Sequence, residues 1–265
     1  KRRVEKTAQQ RQKALTRVKM KKFFPWLLLI LAFCLEGCEN ATQNGADIYT
    51  TPKGKKVAIT PIKHASLQIN YDGREFEIDP VCSNVKPIVE YLDKPKADFI
   101  LVTHIHGDHY DPYACHVLMG QYSELIIPKN IWFNLRKGNV MENNMVMDIG
   151  NKCSIEAVPA YNITRKYRQT HPKGRDNGYI LNFDGFRIYI AGDTEYIPEM
   201  ANLKNIDIAF LPCSRTTMPL SQLREAVKTI RPKVVYPYHF NKTDTAKMRK
   251  ALQGLGARIR IRDLR

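Results

Sequence analysis

The sequence lacks three features that would assign the chain to common protein classes. Its six cysteines include no CxxC pair, which excludes a zinc ribbon. We find no internal repeat strong enough to indicate a repeat architecture. The apolar segment near the N-terminus is shorter than the roughly 20 residues that a membrane-spanning helix needs. At 265 residues, the chain is nevertheless long enough to bury a hydrophobic core.

The positive charge of the chain is concentrated near its N-terminus. The formal net charge is +16, but residues 1–22 hold ten of the 42 Lys and Arg residues and a single acid, Glu5. The remainder of the chain carries only +7, and its charges of both signs are dispersed. A nucleic-acid-binding surface would need basic residues clustered in the folded part. We therefore interpret much of the basicity as a targeting feature and expect no nucleic-acid partner.

Residues 1–38 are interpreted as an N-terminal extension followed by a lipoprotein-type signal. Met20 is a candidate translation start, because residues 1–19 have no apolar periodicity. The short apolar run after it ends in Leu35-Glu36-Gly37-Cys38, which resembles a bacterial lipobox with Cys38 as the lipidated residue. Glu36 is unusual in such a box, so a secreted or periplasmic protein, or an uncleaved anchor helix, is the alternative. We expect an exported, membrane-anchored lipoprotein.

A polar segment separates this signal from the folded part of the chain. Residues 39–56 are rich in Asn, Thr, Gly and Pro and are predicted to be a tether. The folded domain is then expected to span residues 57–265. Four cysteines lie beyond the signal at wide spacings that allow no disulfide assignment, and buried thiols are expected: Cys82, Cys115, Cys153 and Cys213.

Hydrophobic patterns predict a layered α/β sandwich in one domain. Alternating segments flank Asp-Gly turns within residues 66–78 and 179–191, and each predicts a β-hairpin. A near-continuous apolar run over 206–212 predicts a strand buried on both faces. Apolar residues at helical spacing predict a helix that begins near Ser221, which would cap it. Further helices are predicted over 87–92, 114–121 and 246–255, and further strands over 57–62, 98–103, 125–128, 146–149, 154–158 and 234–239.

A histidine cluster follows one of the predicted strands. Three of the seven histidines and an aspartate lie in His104-Ile105-His106-Gly107-Asp108-His109. Imidazoles and carboxylates are ligands that zinc, iron and manganese accept. Asp193 and His239 also stand at predicted strand ends, where they can converge with the cluster. The pattern predicts a metal site, and the alternative is a histidine-rich turn with no ligand role.

These motifs resemble those of the metallo-β-lactamase superfamily. The resemblance rests on His-x-His-x-Asp-His at 104–109, on Gly192-Asp193-Thr194 and on Pro237-Tyr238-His239, and it covers about residues 57–265. His64-Ala65-Ser66 and the Asp79-Pro80 strand end look like the branch that contains L-ascorbate-6-phosphate lactonase and N-acylphosphatidylethanolamine phospholipase D. The resemblance implies an α/β fold, a four-layer αββα sandwich, and a metal-dependent hydrolase.

The resemblance also implies ligands for two divalent ions. His104 and His106 would hold the first ion, and Asp108, His109 and His239 the second, with Asp193 between them. Zinc is the expected metal, with manganese or iron as alternatives. Such ions lower the pKa of a bound water from 15.7 to about 7, so that hydroxide is available and no catalytic Ser or Cys is needed. Asp108 is the predicted catalytic residue.

One position departs from the family pattern. The third histidine of the first site is expected near 158–162, where the chain has Asn162, and an amide oxygen is a poor zinc ligand. His171 could replace it, contact the substrate, or be a surface-loop histidine. His64 could support the metals or be a packed hairpin residue. We therefore expect the first site to be weaker or differently metallated.

The predicted activity is hydrolysis of an ester, lactone or phosphodiester in a small or lipid-like substrate outside the cytoplasm. The alternatives are a non-catalytic metal-binding lipoprotein, a di-iron redox protein on the same fold, and a nuclease. Di-iron proteins of this fold typically carry Glu at the position of His106, which argues against the second. An anionic substrate could be held by a basic loop, although a solvated face is the more ordinary interpretation, and residues 215–218 are another candidate pocket wall. The loop contains Arg165, Lys166, Arg168, Lys173 and Arg175.

Overall fold

A computed structural model describes residues 42–43, 45–82 and 90–264. The chain divides into two units, residues 1–41 and residues 42–265, and the described residues belong to the second. The predicted signal segment and most of the predicted helix over 87–92 lie outside the described residues. Within the part that is described, no helix is both long and apolar enough to cross a membrane.

Two β-sheets make up most of the described structure. The first sheet contains eight strands in sequence order: β1 (Thr42–Gln43), β2 (Ala46–Thr50), β3 (Lys56–Lys63), β4 (Ser66–Tyr71), β5 (Arg74–Ile78), β6 (Ala97–Leu101), β7 (Met119–Ile127) and β8 (Asn139–Val140). The second contains seven: β9 (Val146–Asp148), β10 (Cys153–Ala160), β11 (Asp176–Phe183), β12 (Phe186–Ile190), β13 (Ile208–Pro212), β14 (Val234–Tyr238) and β15 (Arg258–Ile259).

Helices cover the outer faces of both sheets. They are α1 (Pro112–Leu118), α2 (Lys129–Leu135), α3 (Leu220–Ile230) and α4 (Thr245–Leu252), with a 3₁₀ turn at Pro198–Asn202. Between the sheets, the rings of Tyr71 and Phe183 stack with centroids 4.5 Å apart. Leu118 packs with Ile100 on the far side of the first sheet. This arrangement of helix, sheet, sheet and helix confirms the predicted αββα sandwich.

Both predicted hairpins are confirmed. β4 pairs with β5 around Asp72-Gly73, and β11 pairs with β12 around Asp184-Gly185. Both residues of each turn have positive φ, between 54° and 93°, as a two-residue hairpin of the right twist requires. The strand over 208–212 is buried along its whole length, as its apolar sequence predicts. The four described cysteines beyond the signal are free thiols; Cys115, Cys153 and Cys213 are buried as expected, whereas Cys82 is half-buried.

The predicted tether over 39–56 is too long, because part of it belongs to the first sheet. Strand β2 pairs antiparallel with β3. Asp47 in β2 is only 1% exposed and accepts hydrogen bonds from the hydroxyl of Tyr236 at 2.7 Å and from Nε of Arg262 at 2.9 Å. The folded domain therefore begins before residue 57. The buried carboxylate of Asp47, in the first long strand, pairs with Arg262 near the C-terminus.

Three predicted helix boundaries are corrected by the observed caps. Asp111 accepts hydrogen bonds from the amides of the first turn of α1, so this helix begins at Pro112. It ends at Leu118, because Met119 already pairs with β6. Pro219, not Ser221, occupies the N-cap position of α3, and no side chain caps it. Asp244 caps α4, which ends at Leu252, before the left-handed Gly254.

Parallel strands place several loops at one edge of the sandwich. Strands β5, β6 and β7 are parallel neighbours in the first sheet, and β12, β13 and β14 are parallel neighbours in the second. The carboxyl ends of parallel strands meet at one sheet edge, where open α/β proteins bind ligands. Of the predicted site residues, 104–109 follow β6, Asp193 follows β12 and His239 follows β14, so the topology can bring them together.

Candidate metal centre

Six loops contribute histidine or aspartate side chains to one cluster. Asp79 follows β5, residues 104–109 follow β6, Asp193 follows β12 and His239 follows β14. His64 lies in the turn between β3 and β4, and His171 in the loop between β10 and β11. Apart from Asp79, these residues have ligand atoms in overlapping groups, and within each group the atoms all lie within 4.8 Å of one another. The predicted metal ligands are therefore brought together.

The first group consists of His104, His106 and His171. The ring centroids of these three histidines lie 4.7 to 4.8 Å apart. The buried His104 has its Nδ1 2.9 Å from the hydroxyl of Thr103, and His171 has its Nδ1 3.1 Å from Oδ2 of Asp176. Of the roles considered for His171, the structure places this residue within the cluster, where it makes three histidines available for a first ion.

Asn162 has a different structural role. Its Nδ2 donates to the carbonyl oxygens of Tyr167 at 3.3 Å and Thr216 at 3.2 Å, and its backbone N–H donates to the carbonyl oxygen of His171 at 2.8 Å. Asn162 thus fastens the loop that carries His171. The expectation of a weaker or differently metallated first site assumes Asn162 at the third ligand position, whereas the structure offers the imidazole of His171, nine residues further along the chain.

The second group consists of His64, Asp108, His109 and His239. Asp108 Oδ2 lies 3.3 Å from Nε2 of His64 and 3.5 Å from Nε2 of His239. His64 and His239 have φ values of 52° and 48°, a left-handed conformation that costs energy for residues other than glycine. Its contact with Asp108 places His64 in the predicted second site, as a fourth candidate ligand.

Asp193 lies between the two groups. Its Oδ1 is 3.3 Å from Nε2 of His109, and its Oδ2 is 3.4 Å from Nε2 of His171 and 3.3 Å from Nε2 of His239. The backbone reaches this position through Gly192, whose φ is +65° and where a Cβ would lie 3.0 Å from the carbonyl oxygen of Asn177. One carboxylate can thus contact cations on both sides.

Two further buried carboxylates orient the histidines. Asp79 Oδ2 accepts from Nδ1 of His109 at 2.7 Å, and both Asp79 oxygens accept from Thr103 at 2.7 Å. Asp176 contacts His171 in the same way. Such outer carboxylates fix the tautomer of a metal-binding histidine. The sequence marked Asp79 only as a strand-end carboxylate, and Asp176 carried no signal because it stands at the start of an ordinary hairpin strand.

The charge states of the cluster suit a cation except at His109: burial lowers the pKa of His109, but Asp193 and Asp79 outweigh burial and raise it well above its usual value. Burial lowers the pKa of His104 well below its usual value, and burial also lowers the pKa of His106. The adjacent imidazoles of His239 and His64 hold the pKa of Asp108 well below its ordinary range. Burial raises the pKa of Asp193, but His109 and His239 outweigh burial and hold this pKa well below its ordinary value. Neutral imidazoles and ionised carboxylates are the forms that bind metal ions.

Unpaired buried atoms give a direct test of whether a metal fits. Six buried side-chain atoms of the cluster have no hydrogen-bond partner among the described residues, although buried polar atoms are normally paired. They are Nε2 of His64, His104 and His109, both ring nitrogens of His239, and Oδ1 of Asp193. One or two divalent cations would satisfy all of them except Nδ1 of His239.

Other candidate residues are not among the possible metal ligands. The exposed His116 is on α1. In the basic loop, Lys173 pairs with Glu199 at 2.7 Å and Arg175 with Asp176 at 2.7 Å. Arg165, Lys166 and Arg168 are exposed.

Comparisons with known proteins agree with this geometry. Residues 58–239 match a family model described as "Beta-lactamase superfamily domain". A protein of Caldivirga maquilingensis named UPF0173 metal-dependent hydrolase is 27% identical over 208 residues, which cover 75% of this chain and 90% of the relative. A Nanoarchaeum equitans protein of the same UPF0173 description is 30% identical over 167 residues, covering 59% of this chain and 75% of the relative.

Solved structures show the same fold. A Parabacteroides distasonis protein that carries the description of a metal-dependent hydrolase is 46% identical, with a TM-score of 0.79, and the match covers 83% of this chain and 99% of that one. Igni18 of Ignicoccus hospitalis, described as a novel metallo hydrolase, has a TM-score of 0.66 at 24% identity, covering 78% and 95%. At that identity, the second structure supports the fold alone.

Proposed function

Because the chain belongs to the metallo-β-lactamase superfamily and is one of its metal-dependent hydrolases, we propose that it cleaves an ester, lactone or phosphodiester bond at two metal ions. The substrate is a small or lipid-like molecule. The first ion would be held by His104, His106 and His171. The second would be held by His64, Asp108, His109 and His239, with Asp193 contacting both. Zinc is the proposed metal, because imidazole-rich sites with carboxylates suit it.

The position of Asp193 is the observation that supports two ions best. Its two oxygens face histidines of both groups at 3.3 to 3.4 Å, and Oδ1 has no hydrogen-bond partner among the described residues. A buried carboxylate costs free energy unless positive charge compensates it. Cations on both sides would compensate it.

The chain's own residues define the direction of attack. A pair of divalent ions would supply a water acidic enough to act as a nucleophile at neutral pH, together with positive charge for the developing oxyanion. Asp108 has a side chain that is 53% exposed, so it faces the side from which substrate arrives. Its low pKa keeps it ionised, so it can accept a hydrogen bond from an attacking water and orient it. The same low pKa makes it a poor general base.

The alternatives receive less support from the geometry. A non-catalytic metal-binding protein was considered because Asn162 stands at a ligand position, and His171 now offers the missing imidazole. A di-iron redox protein is disfavoured because the chain has His106 where such proteins of this fold typically have Glu.

Metal analysis combined with a substrate panel tests the proposal. The metal-loaded protein is assayed with an aryl ester, a lactone and an aryl phosphodiester, beside His106→Ala and a control, His116→Ala, on the exposed face of α1. We expect hydrolysis of at least one bond type, its loss in His106→Ala and its retention in the control. Full activity in His106→Ala would refute the proposed site. Bound metal without turnover of any substrate would favour the non-catalytic alternative.

We further propose that the chain is exported and anchored through a lipidated Cys38. The support is the charged segment, the short apolar run and the lipobox-like residues 35–38. Mass spectrometry of the membrane fraction tests this proposal. An acylated Cys38 at the mature N-terminus is expected, and any other mature N-terminus would contradict it.

A further inference from the structure

A large cavity lies at the same sheet edge as the metal centre. Its volume is about 1070 Å³, and it is lined by the loop that follows β13, by the start of α3 and by the segment after β14. Asp193 follows β12 and His239 follows β14, and these strands flank β13 on either side. The cavity therefore occupies the position where parallel strands of open sheets usually present their ligands.

Chain adjacency and one hydrogen bond link the cavity wall to residues that position the metal centre. Phe240 lines the cavity and follows His239 in the chain. Thr216 lines it as well, and its carbonyl oxygen accepts the hydrogen bond from Nδ2 of Asn162 at 3.2 Å. The backbone of Asn162 in turn holds the loop of His171. A molecule in this cavity is thus adjacent to residues that position both groups of candidate ligands.

The cavity wall carries three basic side chains whose charge is not compensated. Arg215, Lys242 and Lys247 line it, and among the described residues none of them pairs with a carboxylate. The single carboxylate in the wall, Asp244, accepts a hydrogen bond from the amide of Ala246 and so caps α4. The N-terminus of α3 also faces this wall without a side-chain cap, which adds a favourable dipole for an anion.

A smaller cavity provides an internal comparison. Its volume is about 270 Å³, and its wall also contains three basic residues. Each of these is already paired: Lys129 with Glu142 at 3.1 Å, Lys173 with Glu199 at 2.7 Å, and Arg175 with Asp176 at 2.7 Å. Basic residues in pairs attract an added anion weakly, whereas unpaired ones attract it strongly. The larger cavity is therefore the better anion site.

We propose that the larger cavity binds an anionic group of the substrate, a phosphate or a carboxylate, through Arg215 and Lys242. This inference rests on the proposed hydrolase function, because it assigns the substrate an anionic portion separate from the bond that is cleaved. Half-buried Leu220 lies in the same wall, so an apolar portion of the substrate can pack beside the anion. Binding energy gained there would position the scissile bond at the metal ions.

Calorimetric titration of the metal-loaded protein tests the anion site without turnover. The probes are phenylphosphonate, benzoate and the neutral benzyl alcohol. The variants are the double substitution Arg215→Gln with Lys242→Gln, and the control Lys129→Gln, which removes a paired cation of the smaller cavity. We expect the double variant to bind at least one anionic probe about tenfold more weakly than the unsubstituted chain. The control should change affinity less than about twofold.

The outcomes separate the two sources of the anion and the two proposals. Weakening for phenylphosphonate alone indicates a phosphate, and weakening for benzoate alone indicates a carboxylate. Equal affinity in the double variant, or no binding of either anion to the unsubstituted chain, would overturn this inference. If anion binding depends on Arg215 and Lys242 but the protein hydrolyses no substrate, only the hydrolase proposal is refuted. Hydrolysis without any effect of the double substitution would refute the anion site only.

Discussion

Nδ1 of His109 lies 2.7 Å from Oδ2 of Asp79, and both side chains are completely buried. Nε2 of the same imidazole is therefore left facing Asp193, 3.3 Å from its Oδ1. Asp79 also accepts hydrogen bonds from the backbone N–H and the hydroxyl of Thr103, the residue just before the histidine cluster. These hydrogen bonds hold the carboxylate in place. The contact fixes which nitrogen of His109 is available to a metal ion.

The first prediction concerns this contact. Asp79→Asn keeps the shape of the side chain but removes the charge that orients His109, and we expect metal affinity to fall about 10- to 100-fold. Competition with a chromogenic chelator measures the change. Asp72→Asn is the matched control, because Asp72 is an exposed turn residue with positive φ that Asn tolerates well. Unchanged affinity in Asp79→Asn would show that His109 needs no such support.

The second prediction separates the roles of His171 and Asn162. His171→Ala removes an imidazole of the first group, so we expect the metal content after dialysis to fall from two ions per chain to one. Asn162→Ala removes only hydrogen bonds between loops, so we expect both ions to be retained. Elemental analysis of the two dialysed variants measures the metal content. Loss of an ion from Asn162→Ala alone would assign the third ligand position to Asn162 instead.

Much of this site could be predicted because its ligands are local in sequence. Residues 104–109 bring several ligand types into one turn, and Asp193 and His239 stand at recognisable strand ends. His171 could not be placed, since its position depends on the path of a loop that Asn162 fastens through contacts distant in sequence. The Asn, Thr, Gly and Pro content of residues 39–56 predicts a tether, whereas the contact that shows strand β2 to be part of the fold, Asp47 with Arg262, spans 215 residues. Pairing across such separations leaves no local pattern.

The third prediction concerns removal of the metal. The cluster leaves several buried polar atoms without hydrogen-bond partners among the described residues, so a bound cation should stabilise the folded state. A ligand present at about 100 times its Kd adds about 2.7 kcal/mol to the free energy of unfolding. We expect chelation to lower the Tm by several degrees and readdition of zinc to restore it. Thermal unfolding of Asp193→Ala should respond much less to the chelator, and an equal response would contradict the assignment.

The fourth prediction concerns the first long strand of the domain. Asp47 is buried and accepts hydrogen bonds from Arg262 and Tyr236. Asp47→Ala would leave the guanidinium without its carboxylate, and we expect a loss of about 3–5 kcal/mol in the free energy of unfolding. Urea denaturation measures this loss. The double substitution Asp47→Ala with Arg262→Met should recover part of it, because no unpaired charge then remains; a double variant no more stable than the single one would refute this explanation.

The fifth prediction concerns the pH dependence of stability. Burial raises the pKa of Glu77 to about 8, and the charge of Glu75 adds to this shift. Its pKa in the unfolded chain is near the ordinary 4.5, so between these two values the folded state binds more protons than the unfolded state. The contribution of Glu77 to the free energy of unfolding is therefore greatest at low pH. This contribution falls as the pH rises from about 4.5 to about 8, and it is constant above pH 8.

Glu77→Gln should remove this component of the pH dependence. Gln can still accept the hydrogen bond that Gln68 Nε2 donates to Glu77 at 2.9 Å, and it carries no charge to bury. We expect the variant to be more stable than the unsubstituted chain at pH 8, by on the order of 1–3 kcal/mol, and to show little difference at pH 4.5. Urea denaturation at both pH values measures the difference.

Glu225→Gln, which affects only an exposed pair on α3, should change stability by no more than about 1 kcal/mol at either pH. An advantage of Glu77→Gln that is the same at both pH values would mean that packing, not ionisation, distinguishes the two side chains.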